Sequence, residues 1–248
     1  VPQGSVLGPA LYLLYTSDIP PTPKTVICTF ADDTSVLSVD ESPKLASLYL
    51  QRHVDAIVDW ASIWQLELSH AKSENAIFTL RQGDCDPIKI GNYVLPQVDH
   101  VRSLGLHLDR RLTWKRHIEA KLEHIKLRMH ELGVLWNTSL SRDLRLLIIR
   151  TILTPILTYG IELWGGCCNS LFTRVEGRYN KLIRRAVGAP WYIRNNIIMR
   201  DTGMPPFRQL AEERRASYMA GLRNHSNQLA QELSNDRGYK RLKRRGFP

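Results

Sequence analysis

The sequence is poor in metal-binding sulfur and has no long apolar run. Four cysteines, Cys28, Cys85, Cys167 and Cys168, lack the paired spacing of a zinc site, and the neighbours Cys167 and Cys168 are poorly placed to share one metal or to bond each other. They read as reduced thiols, which excludes a disulfide scaffold. The eight histidines form no ligand pattern. No stretch approaches the roughly 20 apolar residues of a bilayer span and no secretory leader opens the chain, so an intracellular protein with no membrane partner is expected. Internal repeats and long low-complexity tracts are absent. So is an initiating methionine: the chain begins at Val1 and reads as part of a longer frame.

What is present suffices for a real core: 248 residues, 43% of them hydrophobic, make one large domain or two small ones. The net charge of +10 is unevenly spread, because residues 1–124 hold 12 Lys and Arg against 15 Asp and Glu, while residues 125–248 hold 22 against 9. A basic C-terminal half points to a polyanionic partner. Nucleic acid is favoured over membrane because no amphipathic anchor with exposed aromatics accompanies the charge.

Two runs rich in β-branched and apolar residues, Thr25 to Phe30 and Thr34 to Leu37, flank Asp32 and Asp33, a pattern that predicts a hairpin with both acids at its tip. Adjacent carboxylates repel, so a stiff turn either leaves them in water or offers them to a divalent cation. On the dipeptide alone the solvated turn is the commoner outcome.

Helices are predicted from Gly8-Pro9 to near Asp18, with Leu11, Tyr12, Leu14 and Tyr15 on one side, and after the Ser42-Pro43 start, with Leu50, Val54, Ile57, Ala61 and Trp64 as a core stripe. Trp60 and Trp64 are assigned to packing. Strands follow at Ala76 to Leu80, as a hairpin around Gly91-Asn92, and at Val101 to Leu108. From Trp114 the period turns helical, with Ile118, Leu122, Ile125, Met129 and Leu132 on one face. Further helices are expected from Arg142 to Ile152, ending near Pro155, from Leu171 to Val187, and from Phe207 to Leu222. On the Leu171 to Val187 helix, Leu171, Val175, Leu182 and Ala186 point inward, and Arg174, Arg178, Lys181 and Arg185 form a cationic ridge. Such a ridge is ordinarily a solvated face.

Phe30-Ala31-Asp32-Asp33, a short distance after Val1-Pro2-Gln3-Gly4-Ser5-Val6-Leu7-Gly8-Pro9, resembles the palm of reverse transcriptases of non-LTR (LINE-type) retrotransposons. Trp60 to Lys72, Leu104-Gly105-Leu106-His107-Leu108-Asp109, Leu112-Thr113-Trp114 and His117-Ile118 look like the following palm blocks and the entry to the thumb. Ala189-Pro190-Trp191-Tyr192-Ile193-Arg194-Asn195, with Arg200-Asp201, is similar to the C-terminal region of the Jockey-like branch. The resemblance runs to about Gly203.

It implies an α+β fold: residues 1–108 as part of a polymerase palm with an antiparallel sheet and covering helices, 109–203 as a helical thumb or connection, and 204–248 as a C-terminal helix and basic tail. The implied activity is RNA-directed DNA polymerisation, in which a DNA primer 3′-hydroxyl, on an RNA template, attacks the α-phosphorus of a deoxynucleoside triphosphate with two Mg2+ ions assisting. By the same resemblance Asp32 and Asp33 are catalytic metal ligands, and Gln3, Gly4, Phe30 and Ala31 lie beside nucleotide and template. Lys72 assists the departing pyrophosphate, and Leu104 and Gly105 form a primer grip, although Ser103 stands where the family usually has an aromatic residue. Beside a palm, the ridge of Arg174, Arg178, Lys181 and Arg185 suits template–primer phosphates.

The family's third carboxylate and its fingers precede the segment resembling Val1 to Pro9, so the isolated chain is expected to have little or no activity. The alternatives are a non-catalytic nucleic-acid-binding remnant and a relic with no maintained function. A viral RNA-copying enzyme is disfavoured by the thumb and the Trp191-Tyr192 segment. The family implies a nuclear location, and Lys240 to Arg245 is a weak basic address. Oligomeric state is left open.

Overall fold

The computed structural model describes residues 4–80, 85–133 and 140–234. Gln3 and the basic cluster Lys240 to Arg245 lie outside the described residues. The chain mixes helices and strands in two compact units, the first ending at Val101 and the second beginning at Arg102. No helix among the described residues is long and apolar enough to cross a membrane.

The first unit opens with helix α1 (Gly8–Tyr15), which stops three residues short of Asp18 and has no buried residue. Strands β1 (Thr25–Phe30) and β2 (Asp33–Ser38) pair antiparallel, with Thr25 opposite Ser38 and Phe30 opposite Asp33. This is the predicted hairpin. Helix α2 (Pro43–Ile63) packs on it and buries Ser47, His53, Ile57 and Ala61. The fully buried His53 meets the Thr25 hydroxyl through Nδ1 at 2.6 Å, tying the helix to the first strand.

Helix α2 starts as expected, with Ser42 at the N-cap and Pro43 in the first turn; the Ser42 side chain bonds no helical N–H, and its own N–H donates to Asp40 Oδ1. One expectation for α2 is corrected. Trp64 belongs not to the buried stripe but to the helix terminus, where it is exposed and packs edge-on against Tyr15. The Trp60 and Trp64 indole N–H groups donate to the two carboxylate oxygens of Asp18.

The strand predicted over Ala76 to Leu80 shortens to β3 (Asn75–Ala76), paired in parallel with β6 (Gln97–Val98). Between them β4 (Lys89–Ile90) and β5 (Tyr93–Val94) form the hairpin predicted around Gly91-Asn92. The single strand predicted over Val101 to Leu108 is two strands, β7 (His100–Ser103) and β8 (Leu106–Asp109), which pair across Leu104-Gly105. Among the described residues the strands thus make four two-stranded ladders instead of one sheet.

The second unit is built from helices α3 (Lys115–Glu131), α4 (Arg142–Ile148), α5 (Thr154–Thr158), α6 (Ile161–Trp164), α7 (Asn169–Val187), α8 (Asn195–Thr202), α9 (Phe207–Arg223) and α10 (Gln228–Ser234). Its core centres on the buried Ile118, Ile125, Leu153, Leu157, Trp164, Tyr179 and Phe207. Pro155 does not end the helical path as expected. A π-helical turn over Ile149–Leu153 intervenes, and the proline falls in the first turn of α5, where its missing N–H costs nothing. The amphipathic α7 buries Leu171, Val175, Leu182 and Ala186 as predicted, together with Phe172, Tyr179 and Ile183.

Candidate active site

The Phe30–Asp33 pair closes a two-residue loop of Ala31 and Asp32, so Asp32 occupies the turn and Asp33 the first position of β2. Both carboxylates are exposed. Side chains alternate across a hairpin, so Asp33 shares a face with its partner Phe30 and with the Cys28–Ser35 and Val26–Leu37 pairs. That face is open: Val26 is 58%, Phe30 65% and Leu37 48% exposed. Ala31 adopts a left-handed φ of 50°, which costs a residue with a Cβ about 1 kcal/mol. The Tyr12 hydroxyl donates to the Ala31 carbonyl at 2.7 Å and holds the turn in place from α1.

Of the other sequence-predicted positions in this unit, Gly4 is exposed with a φ of 83°. Lys72 is exposed at the end of a single 3-10 turn, His70–Lys72.

In the second unit, Leu104 and Gly105 both have positive φ, 46° and 77°, the signature of a tight hairpin turn whose twist matches that of its strands. The Tyr159 hydroxyl donates to the Leu104 carbonyl at 2.6 Å, and a Cβ on Gly105 would lie 3.3 Å from the Tyr159 ring. Next to Tyr159, Gly160 has a φ of 66° and lies so close to Leu106 that an added Cβ would sit 2.6 Å from its Cδ2. The turn is thus pressed onto the Tyr159-Gly160 corner.

Lys121 supports that corner from α3. Its ammonium donates to the Ile156 carbonyl at 2.8 Å and lies over the rings of Tyr159 and Trp164 at 5.4 and 5.9 Å. Burial lowers its pKa to about 8, opposed in part by Glu162. His117, one turn earlier, is pushed down to about 3 by burial first and then by Lys121 and His107. A neutral ring agrees with its Nδ1 accepting the His107 N–H at 3.3 Å.

On α7, Arg174, Lys181 and Arg185 are exposed and Arg178 is partly so, with Arg174 lying 3.9 Å from Glu119. Residues 1–108 match the family profile described as "Reverse transcriptase (RNA-dependent DNA polymerase)". Over 94% of its length the chain is 34% identical to the "RNA-directed DNA polymerase from mobile element jockey" of Drosophila melanogaster, covering 26% of that protein. It is also 32% identical, over 99% of its length, to the "Probable RNA-directed DNA polymerase from transposon X-element" of the same fly, covering 28% of it. Residues 1–108 belong to the reverse-transcriptase family.

The chain spans about a quarter of the length of the curated relatives it matches. No solved structure matches it. Among its described residues no group of three or more His, Cys, Asp and Glu could hold a metal. The hairpin tip nevertheless supplies two exposed carboxylates and no sulfur or imidazole, a donor chemistry suited to a hard cation such as Mg2+.

Several residues that shape these positions escaped sequence reasoning. Tyr12 read only as an apolar helix position, yet its hydroxyl fixes the Asp32 turn. Asp109 was one letter of a motif, but its carboxylate accepts from the N–H groups of Arg111, Thr113 and Trp114 and so shapes the entry to α3. Arg184 faces away from the ridge, donating to the carbonyls of Pro190 and Ile193 and to Asn195 Oδ1. The adjacent Tyr-Gly of Tyr159-Gly160 was the only local hint of a corner there.

Proposed function

We propose that this chain contributes the latter part of the palm, and the thumb, to an RNA-directed DNA polymerase of a non-LTR retrotransposon of the Jockey-like branch, adding deoxynucleotides to a DNA primer on an RNA template. The observation that carries the proposal is the Asp32-Asp33 pair displayed on a hairpin tip that Tyr12 holds from behind. In this reading residues 1–108 belong to the palm, 109–203 form the helical thumb or connection, and 204–248 form the C-terminal helix and tail.

Asp32 is the direct carboxylate ligand and Asp33 a ligand or electrostatic support for Mg2+. When bound, two such ions would supply activation of the primer 3′-hydroxyl and neutralisation of charge on the leaving pyrophosphate. The protein's part is placement. The Tyr12–Ala31 bond fixes the turn, and a carboxylate fixed before substrate arrives needs no reorganisation at the moment of reaction. Lys72, an exposed cation, stabilises the departing pyrophosphate; Gly4, Phe30 and Ala31 line the nucleotide and template side. The Leu104-Gly105 turn grips the primer backbone, with Tyr159 as its positioning residue. Arg174, Arg178, Lys181 and Arg185 meet duplex phosphates.

The third carboxylate and the fingers belong, in this reading, to the part of the relatives' length that the chain does not span. The open apolar face of Val26, Phe30 and Leu37 supports it, because exposed apolar residues grouped on one hairpin face are suited to covering by further chain. Primer extension by this chain and by an N-terminally extended polypeptide, each with an Asp32→Ala counterpart, tests the proposal: activity in the extended protein that survives the substitution would refute it.

A further inference from the structure

Trp191 and Tyr192 are 89% and 69% exposed, adjacent, and set edge to face with ring centroids 6.0 Å apart. Two large aromatic rings standing in water are costly unless something covers them, and a pliable loop would fold them down. This loop is not pliable. Gly188 caps α7, the Ala189 N–H donates to the Arg184 carbonyl at 3.0 Å, and the Ile193 N–H donates to the Pro190 carbonyl at 3.2 Å. From beneath, the Arg184 guanidinium holds the carbonyls of Pro190 and Ile193 and the side chain of Asn195. The backbone that carries the two aromatics is therefore fixed.

The surroundings point to what lands on it. Trp191, Lys181, Asn180 and Asn195 line a groove of about 310 Å³. Between residues 174 and 194 the chain carries six basic residues and one acid, Glu176. Cations beside exposed aromatic faces are how unpaired nucleic acid is held: phosphates on the cations, bases on the rings. A duplex cannot use the rings, because its base faces are already stacked.

We infer that Trp191 and Tyr192 form a stacking site for unpaired nucleotides of a single-stranded RNA or DNA segment, with Lys181 and Arg185 on the flanking phosphates. The inference rests on the reading that the α7 ridge meets nucleic acid, and it adds a base-contacting site to a surface otherwise assigned to phosphates alone.

Fluorescence anisotropy tests it with the full chain and three labelled probes of equal length: a single strand, the same strand with abasic sites, and a blunt duplex. Stacking strength of the usual size predicts that the W191A/Y192A variant loses about 10- to 100-fold in affinity for the single strand. Binding to the abasic strand and the duplex stays unchanged, and the W191F/Y192F variant retains most single-strand affinity. Thermal melting of each variant verifies the fold, which the exposed positions should leave intact. An equal loss on all three probes, or no loss on the single strand, overturns the stacking site. Failure of the duplex to bind the parent protein, with single-strand binding intact, would instead remove the ridge's assignment to duplex phosphates and leave the stacking site standing.

Discussion

The Tyr12 hydroxyl donates to the Ala31 carbonyl across 2.7 Å, so a side chain of α1 holds the turn that displays Asp32. The bond offsets a turn whose alanine sits at a positive φ. Removing the hydroxyl with Tyr12→Phe should therefore loosen the tip without unfolding the unit. In an extended, active polypeptide the expected result is roughly a 5- to 10-fold drop in kcat at nearly constant primer KM, the scale of one net hydrogen bond. Ala31→Gly relieves the backbone strain and should raise resistance to urea by up to about 1 kcal/mol.

The Leu104-Gly105 turn is tested through stability. Gly105→Ala combines a left-handed φ with a 3.3 Å contact to Tyr159 and is expected to cost on the order of 2 kcal/mol in urea unfolding. Tyr159→Phe loses only the bond to the Leu104 carbonyl and should cost about 1 kcal/mol.

Arg184 is a third test. Its guanidinium satisfies three acceptors of the Pro190 to Asn195 segment, so Arg184→Ala should lower stability by roughly 2 kcal/mol. Arg184→Lys, with one ammonium in place of a planar fork, should recover only part of that loss. Unfolding followed by urea titration distinguishes the two.

These cases show what was legible in the sequence. The Asp32-Asp33 hairpin, the two-residue turn after Ile90, and the apolar faces of α3 and α7 follow from local pattern, and the structure has them. The β7–β8 turn did not, because Leu104 lacks the usual turn signature and takes its positive φ where the Tyr159 hydroxyl donates to its carbonyl. Pro155 misled because the preceding π-helical turn, a tertiary accommodation, lets the helical path continue. Arg184 carries no distinguishing signal in the sequence; three acceptors brought together by the fold make it a structural clamp.

Stability should also depend on pH through two buried bases. His117 is lowered from 6.5 to about 3, so between these values the unfolded chain binds the proton that the folded chain does not, and stability rises with pH across that window. Lys121, lowered from 10.5 to about 8, adds a second rise between pH 8 and 10.5. Urea titrations at pH 4 and 6 should differ by roughly 1 kcal/mol or more, and His117→Phe should flatten the acid limb.

The central claim is that Asp32 is a catalytic carboxylate of a polymerase. Its most direct test is magnesium-dependent primer extension on an RNA template, with this chain and with a polypeptide extended N-terminally toward the length of its jockey-type relatives. The account predicts extension by the longer protein alone, abolished by Asp32→Ala. Robust extension by the isolated chain, or extension by the longer protein that survives the loss of Asp32, would contradict it.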